Sequence, residues 1–455
     1  MYRKYTANVT NLIRRQTIEA KTLVKRTLKE NANRKQQTFD VAIFGGGIMG
    51  LFTSFWLKRQ CPSLNILVIE RDPQYKTAST VLSVGGIRHQ FSLRENIALS
   101  KFGSEFIANI NEYLSVPGNE IVDIQFQENG YLFLASTEQG EQLLRENHRL
   151  QCELNACTEL MRREQLCKKF PWLNVDDIRL GCLGVRYEGF FDPYLLLMAV
   201  KRKAIHMGVK YVNAEVVQFV LKSTGGSISN EICNSVVIKF PNGKESELNF
   251  SKGVIAAGPH SGQMSRLLKI GEAVNDCRKT HCPVEPRKRY VFSFDCPTMR
   301  SIRTPLVIDP SCVYFRSDGN HFLAGKSPEP VKLLFSNEEP DTNNLEVDYE
   351  YFDEQIWPVL ASRVKAFEEI KVNGAWSGFY EFNTLDENQI IGMHPYYSNL
   401  YWITGFSGHG IQMAIAAGRS VSELILYGKY RSIDVSRLGW QRIIDNAPLF
   451  ESCIV

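Results

Sequence analysis

The chain has 455 residues, 44% of them hydrophobic, and a formal net charge of +4. That length buries a large core and suits two domains, while no uninterrupted apolar run of about 20 residues exists to span a bilayer. The charge is lopsided. Residues 1–38 carry ten Lys or Arg against Glu19 and Glu30, which leaves residues 39–455 at a net −4, so the basic total gives no reason to expect a nucleic-acid partner.

Wound at about 100° per residue, residues 9–28 gather Val9, Leu12, Ile13, Leu23, Val24 and Leu28 on one face and the basic residues on the other. A basic, Thr-rich, acid-poor amphipathic start reads as a mitochondrial transit peptide over residues 1–38. The expected location is therefore the matrix or the matrix face of the inner membrane. A solvated basic helix is a second reading. A membrane-surface helix, giving peripheral inner-membrane association without a transmembrane helix, is a third. Eleven cysteines without a CxxC pair suit free thiols in a reducing compartment. Cys277, His281 and Cys282 lack a second ligand pair at finger-like spacing, so no metal is expected.

From residue 39 the chain reads FDVAIFGGGIMGLFTSFWLKRQCPSLNILVIERD. Phe39–Phe44 is a strand, Ile48–Arg59 a helix and Asn65–Ile69 a second buried strand. Gly45, Gly47 and Gly50 form G-x-G-x-x-G between strand and helix, and Glu70 follows 20 residues after Gly50. In that register the glycines admit a pyrophosphate at the helix N-terminus and the acid meets ribose hydroxyls, which predicts dinucleotide binding. Ile48 and Arg71 flank this constellation and count with it.

Residues 77–91, TASTVLSVGGIRHQF, offer the hydroxyls of Ser79 and Ser83 and the bare amides of Gly85 and Gly86, with Ile87 next in line, to a planar polar-edged ring. Residues 252–263, KGVIAAGPHSGQ, read as an apolar strand running into Ala256, Ala257 and Gly258. GVKYVNAEVVQFV, residues 208–220, reads as a strand pair. Near the C-terminus, residues 400–427 read as strand, glycine turn GFSGHG and helix.

With these motifs the sequence resembles the amine and D-amino-acid oxidase superfamily, on the sarcosine oxidase and dimethylglycine dehydrogenase side. The resemblance covers roughly residues 39–430 through GGGIMG, VIERD, SVGGIRHQF, AAGPHS, VYFRSDGNHFLAGKSPEP, WSGFYEFNTLDENQIIGMHP and GFSGHG. Blocks such as KFPWLN, EGFFDPYLLL and PVEPRKRYV further resemble a mitochondrial subgroup implicated in assembly of respiratory complex I. Complex I subunits or assembly intermediates are thus expected partners, alongside a small amine or amino acid substrate.

The resemblance implies an α/β (α+β) fold, with an FAD-binding glutathione-reductase-like Rossmann domain interleaved with a mixed-sheet substrate domain. Residues 39–120, 190–285 and 373–430 are expected to build the first. Residues 121–189 and 286–372 build the second, and 431–455 form a C-terminal tail. It implies FAD, with the backbone of Val216 against the adenine and Gly405, Gly408, His409, Gly410, Ile411 and Gln412 at the pyrimidine end of the flavin. Unpaired amides of Gly408, His409 and Gly410 would hold the charge of reduced flavin. No Cys lies in WSGFYEF, where some members attach the flavin, so FAD is expected to be non-covalent.

Relatives clamp a substrate carboxylate with an Arg and a Lys. Arg88 matches the first and Gln412 stands at the second, so half the clamp is missing. Tyr380 stands where glycine oxidase-like members carry an Arg. Arg88, Tyr380 and His409 are thus the expected catalytic residues. Arg287 and Arg289, on one face of a strand, read as a solvated edge or interface patch, with a substrate role as the other reading. The acidic segment 337–354 reads as solvated surface. Three functions stand open: an assembly flavoprotein, an N-methyl amino acid dehydrogenase or oxidase, and a binding protein that uses FAD for stability alone.

Overall fold

The computed structural model describes residues 38–221, 232–274, 276–326 and 339–453. The transit-peptide reading falls, but for Thr38, outside the described residues. The chain has a mixed α/β fold built on two eight-stranded sheets.

The first sheet contains β1 (Thr38–Phe44) at its centre, followed by helix α1 (Ile48–Gln60) and β2 (Ile66–Glu70). β1 pairs in parallel with β2 on one side and with β3 (Glu245–Ile255) on the other. Lys210–Asn213 extends the sheet beyond β2. The hairpin Glu215–Leu221 and Cys233–Lys239 continues from β3. The central strands are apolar on both faces because both are covered. On one face Phe44 packs edge-on against Phe219 and Phe250. On the other lies α1, buried almost throughout, which its mixed sequence IMGLFTSFWLKRQ allows.

The second sheet is organised by two long strands, β4 (Val284–Asp295) and β5 (Lys371–Asn383). They pair antiparallel from Val284↔Asn383 to Asp295↔Lys371. Six shorter strands follow β4, among them Val313–Asp318 and Tyr131–Ala135. Behind the ribbon lies an aromatic core in which Phe367 contacts Phe294, Phe315 and Phe322. The expected layout assigned residues 373–430 wholly to the nucleotide fold. β5 lies instead in the second sheet, because its register with β4 satisfies its backbone there.

The chain returns to the first sheet through β6 (Leu400–Thr404), parallel to β3, and helix α2 (Gly410–Tyr427). α2 crosses α1 closely at Gly418, where a Cβ would stand 2.8 Å from the backbone of Phe52 and Thr53. Trp56 Nε1 donates to Ile415 O at 2.8 Å and Ser422 Oγ to Thr53 O at 3.1 Å, which fixes the crossing. No helix among the described residues is long and apolar enough to cross a membrane.

Candidate functional site

The nucleotide end is made by the turn from β1 into α1. Gly45 has φ +115°, and a Cβ there would lie 2.1 Å from Ala256 O, so β1 and β3 can end side by side only with glycine. A Cβ on Gly50 would lie 2.0 Å from Gly45 O, which makes that glycine the contact of helix on turn. Gly47 is different. The nearest atom to a Cβ there is Thr80 Oγ1 at 3.6 Å, and the residue lines the cavity. Glu70 Oε2 accepts from Gly46 N and Oε1 from Asp72 N, both at 2.8 Å. Burial pushes this carboxyl up, and the two amides and Arg71 oppose the shift. Arg71 Nη2 lies 2.6 Å from His260 Nε2, and burial with the Arg71 charge lowers that imidazole to about 4.

From this end a cavity, partly open to solvent, runs between the sheets. Ser79, Ser83, Val216, Ala257 and Gly258 line its course, with Gly408, Gly410 and Ile411 at the start of α2. Its far wall is the β4–β5 ribbon, where Arg289, Val291, Gly378 and Tyr380 are joined by Tyr314 from the strand Val313–Asp318 farther along the same sheet. Trp376 Nε1 donates to Leu82 O at 2.9 Å, and a Cβ on Gly378 would press on Leu82, so the Ser79–Leu82 turn seats directly on the ribbon. Among the described residues no cysteine lines the cavity.

Two residues of this wall escape a reading by motif. Glu381 is buried, with 8% of its surface exposed. Its Oε2 accepts from Thr404 Oγ1 at 3.0 Å and Gly405 N at 3.1 Å, and burial pushes its carboxyl up to about 7. Its signal in the sequence is an acid inside the otherwise aromatic strand WSGFYEF. Arg289 faces the cavity and pairs with Glu339, Nη1 to Oε2 at 2.8 Å and Nη2 to Oε1 at 3.3 Å. Neither Arg289 as a solvated edge nor Glu339 as free surface describes this pair.

The expected clamp is built otherwise. Arg88 is 2% exposed and does not line the cavity. Its guanidinium donates to the carbonyls of Gln90 and Cys453 and, at 3.1 Å, to His409 Nε2. It lies over the Phe91 ring, 4.0 Å from the centroid. Gln412 Oε1 accepts from Arg88 N at 2.8 Å and Ser100 Oγ at 3.2 Å, so it too serves the interior. His409 lies 7% exposed in the same cluster, lowered to about 3 by burial and Arg88, and its amide donates to Phe406 O at 2.9 Å. That amide is therefore not among those turned to the cavity. The C-terminal segment closes the cluster. Glu451 accepts from Ser92 N at 2.6 Å and from Asn96 Nδ2 at 3.0 Å, which brings Cys453 O to Arg88. Gly85, Gly86 and Ile87 likewise stand behind the lining: Gly85 is pressed on Phe191 O, Gly86 on the Tyr131 hydroxyl, and Ile87 is in the core. Gly405 holds the turn through Glu381.

The residues fit an extended dinucleotide with a planar ring. An open helix N-terminus, an acid 20 residues on and bare glycines share one cavity, which continues between two sheets to an aromatic wall. The architecture and site are those of the two-sheet FAD-dependent oxidoreductase fold. Residues 40–424 match the family described as DAO, FAD dependent oxidoreductase, and the chain belongs to it. It is 43% identical over 429 residues to FAD-dependent oxidoreductase domain-containing protein 1 of Xenopus laevis, covering 91% of this chain and 85% of that one. It is 42% identical to the Bos taurus protein of the same name, covering 94% and 89%. Among solved structures, L-proline dehydrogenase from P. horikoshii has the same fold, with a TM-score of 0.75 and 22% identity over 91% of this chain and 100% of that one.

Removing the Arg88 guanidinium strands two carbonyls and an imidazole nitrogen in the interior. Arg88→Ala should therefore cost about 3 kcal/mol of stability, measured as a lower urea midpoint. An unchanged midpoint would contradict the buried cluster. Glu381 predicts a pH effect. Its carboxyl is raised from 4.5 to about 7 on folding, so between those values the folded protein keeps a proton that the unfolded chain has lost. Its contribution to stability then falls as pH rises through the window, by up to about 3 kcal/mol. Glu381→Gln does not titrate, so its melting temperature relative to wild type should climb from pH 5 to pH 8. A pH-independent difference would refute the assignment.

Proposed function

We propose that the protein binds FAD non-covalently in this cavity and oxidises a small amine or amino acid at the β4–β5 wall. The observation that carries the reading is one continuous cavity joining Gly47 and Glu70 to Tyr380 and Arg289. Gly47 and the α1 N-terminus would receive the pyrophosphate, Glu70 the ribose, Val216 the adenine, and Ser79, Ser83, Gly408 and Gly410 the ring. FAD supplies the acceptance of a hydride equivalent from the carbon beside an amine. The rest falls to the chain. Tyr314, Val291 and Tyr380 exclude water from the far chamber. The N-terminal end of α2 presents partial positive charge to it. Glu381 holds the Gly405 turn in register with the ribbon. The absence, among the described residues, of a cysteine from the cavity lining supports non-covalent attachment.

Denatured and filtered protein should release yellow FAD into the filtrate. Gly47→Glu, which sets a carboxylate where the phosphates belong, should yield colourless protein with an unaltered fold by circular dichroism. Flavin retained on the polypeptide, or an equally yellow variant, would contradict the reading.

A second reading is favoured by Arg88 and Gln412, whose side chains serve the interior rather than a substrate. On it, the protein acts in mitochondria in the assembly of respiratory complex I, with flavin chemistry contributory. The basic amphipathic residues 1–38 and the sequence blocks shared with that subgroup support the location and the role. Deleting residues 1–37 should leave a folded flavoprotein that no longer enters mitochondria. Import of the truncated chain at the normal level would sink the location.

A further inference from the structure

The cavity lining contains two arginines, Arg71 at the Glu70 end and Arg289 at the Tyr380 end. Arg289 stands on β4 opposite Gly378 of β5, so the residue directly across the ribbon has no side chain to crowd it. Its guanidinium carbon lies 5.5 Å from the centre of the Tyr380 ring. Its side chain is 11% exposed, and its buried Nε has no hydrogen-bond partner among the described residues. A buried guanidinium N–H without an acceptor is costly unless a ligand supplies one.

Arg289 Nη1 also donates to Lys288 O at 2.9 Å, but its carboxylate partner is a replaceable one. Glu339 meets it through both carboxylate oxygens, yet its side chain is 32% exposed. Arg287 Nη1 stands 3.6 Å from the same carboxylate, on the same face of β4. Glu339 can thus leave Arg289 without losing every cation, since Arg287 and water remain to it. A planar, two-oxygen acid on a forked guanidinium is the geometry a substrate carboxylate would adopt.

We propose that Arg289 is the anion-binding residue of the far chamber and takes a ligand carboxylate in exchange for Glu339. The inference rests on the FAD-dependent reading of the same cavity and narrows it. The ligand class is a small carboxylate whose apolar body lies against Val291, Tyr314 and Tyr380. Arg289 stands on β4 and Arg88 in the loop after Ile87, and the two have different surroundings. The chamber therefore needs no second cation at Gln412.

The test is a titration of the FAD-loaded protein with anthranilate and with its uncharged counterpart 2-aminobenzamide, followed through the visible spectrum of the bound flavin. Wild type should show a saturable change with anthranilate and a weaker or absent one with the amide. Arg289→Gln should weaken anthranilate by about tenfold or more, the factor expected for a lost charged hydrogen bond. Its flavin content and its response to the amide should not change. Arg289→Lys should recover part of the affinity. Glu339→Gln, which removes the competitor, should tighten it several-fold. Equal anthranilate affinity in wild type and Arg289→Gln would overturn the proposal, as would a wild-type flavin indifferent to anthranilate. Protein isolated without flavin would refute the underlying reading instead. Calorimetric titration with anthranilate would then decide the anion contact, upholding it if binding depends on Arg289 and overturning it if not.

Discussion

One buried carboxylate ties the two sheets together at the cavity. Glu381 projects from the end of β5, in the second sheet, and accepts from Thr404 and Gly405 at the end of β6, in the first. Ser407 N donates to Glu381 O, and Asn383 N donates to Ser407 Oγ. Thr404 and, in the glycine turn before α2, Gly405 and Ser407 are thereby stitched to Glu381 and Asn383 of the ribbon. Separate the two and the helix N-terminus, Tyr380 and Arg289 no longer share a wall. Burial supplies the rigidity and also the raised proton affinity, since the same lack of water that stiffens the contacts disfavours the charged carboxylate.

This constraint explains why the site is divided as it is. The first sheet supplies backbone: bare glycines, helix starts and an acid fixed by two amides. The second sheet supplies side chains: an arginine, a tyrosine and a valine from the ribbon and Tyr314 from a further strand. Arg88 belongs to neither. It stands behind the lining, where it bonds the C-terminal segment at Cys453 and the imidazole of His409. A guanidinium with its donors taken by carbonyls and an imidazole is a structural cation, and the acidic work of Glu451 on Ser92 and Asn96 completes the same closure.

Much of this was legible from the residues. The strand–glycine–helix–strand–acid run over residues 39–70 names its own geometry, because Gly45 and Gly50 answer close approaches, Gly47 lines the cavity and the acid stands at a fixed distance. The strand, turn and helix of residues 400–427 are equally local. What sequence did not reveal is which way side chains face once distant segments meet. Arg88 follows a glycine loop, as a cavity arginine would, but the residues that capture it are 321 and 365 positions away. Arg289 lies among three consecutive basic residues, a run that reads as solvated, and only the register of β4 with β5 turns it inward. Glu381, a lone acid in its strand, and Glu339, one of several in an acidic run, find their partners on other elements. Pairings of this kind carry no local period.

A crystal structure of the FAD-loaded protein tests the central claim most directly, namely that the cavity between the glycine turn and the ribbon is the flavin site and that Arg289, not Arg88, faces its far chamber. The account predicts flavin density against Ser83, Gly408 and Tyr380, with Arg88 still bonded to Cys453 O. Flavin elsewhere, or an Arg88 guanidinium released from Cys453 and turned onto the ring, would contradict it.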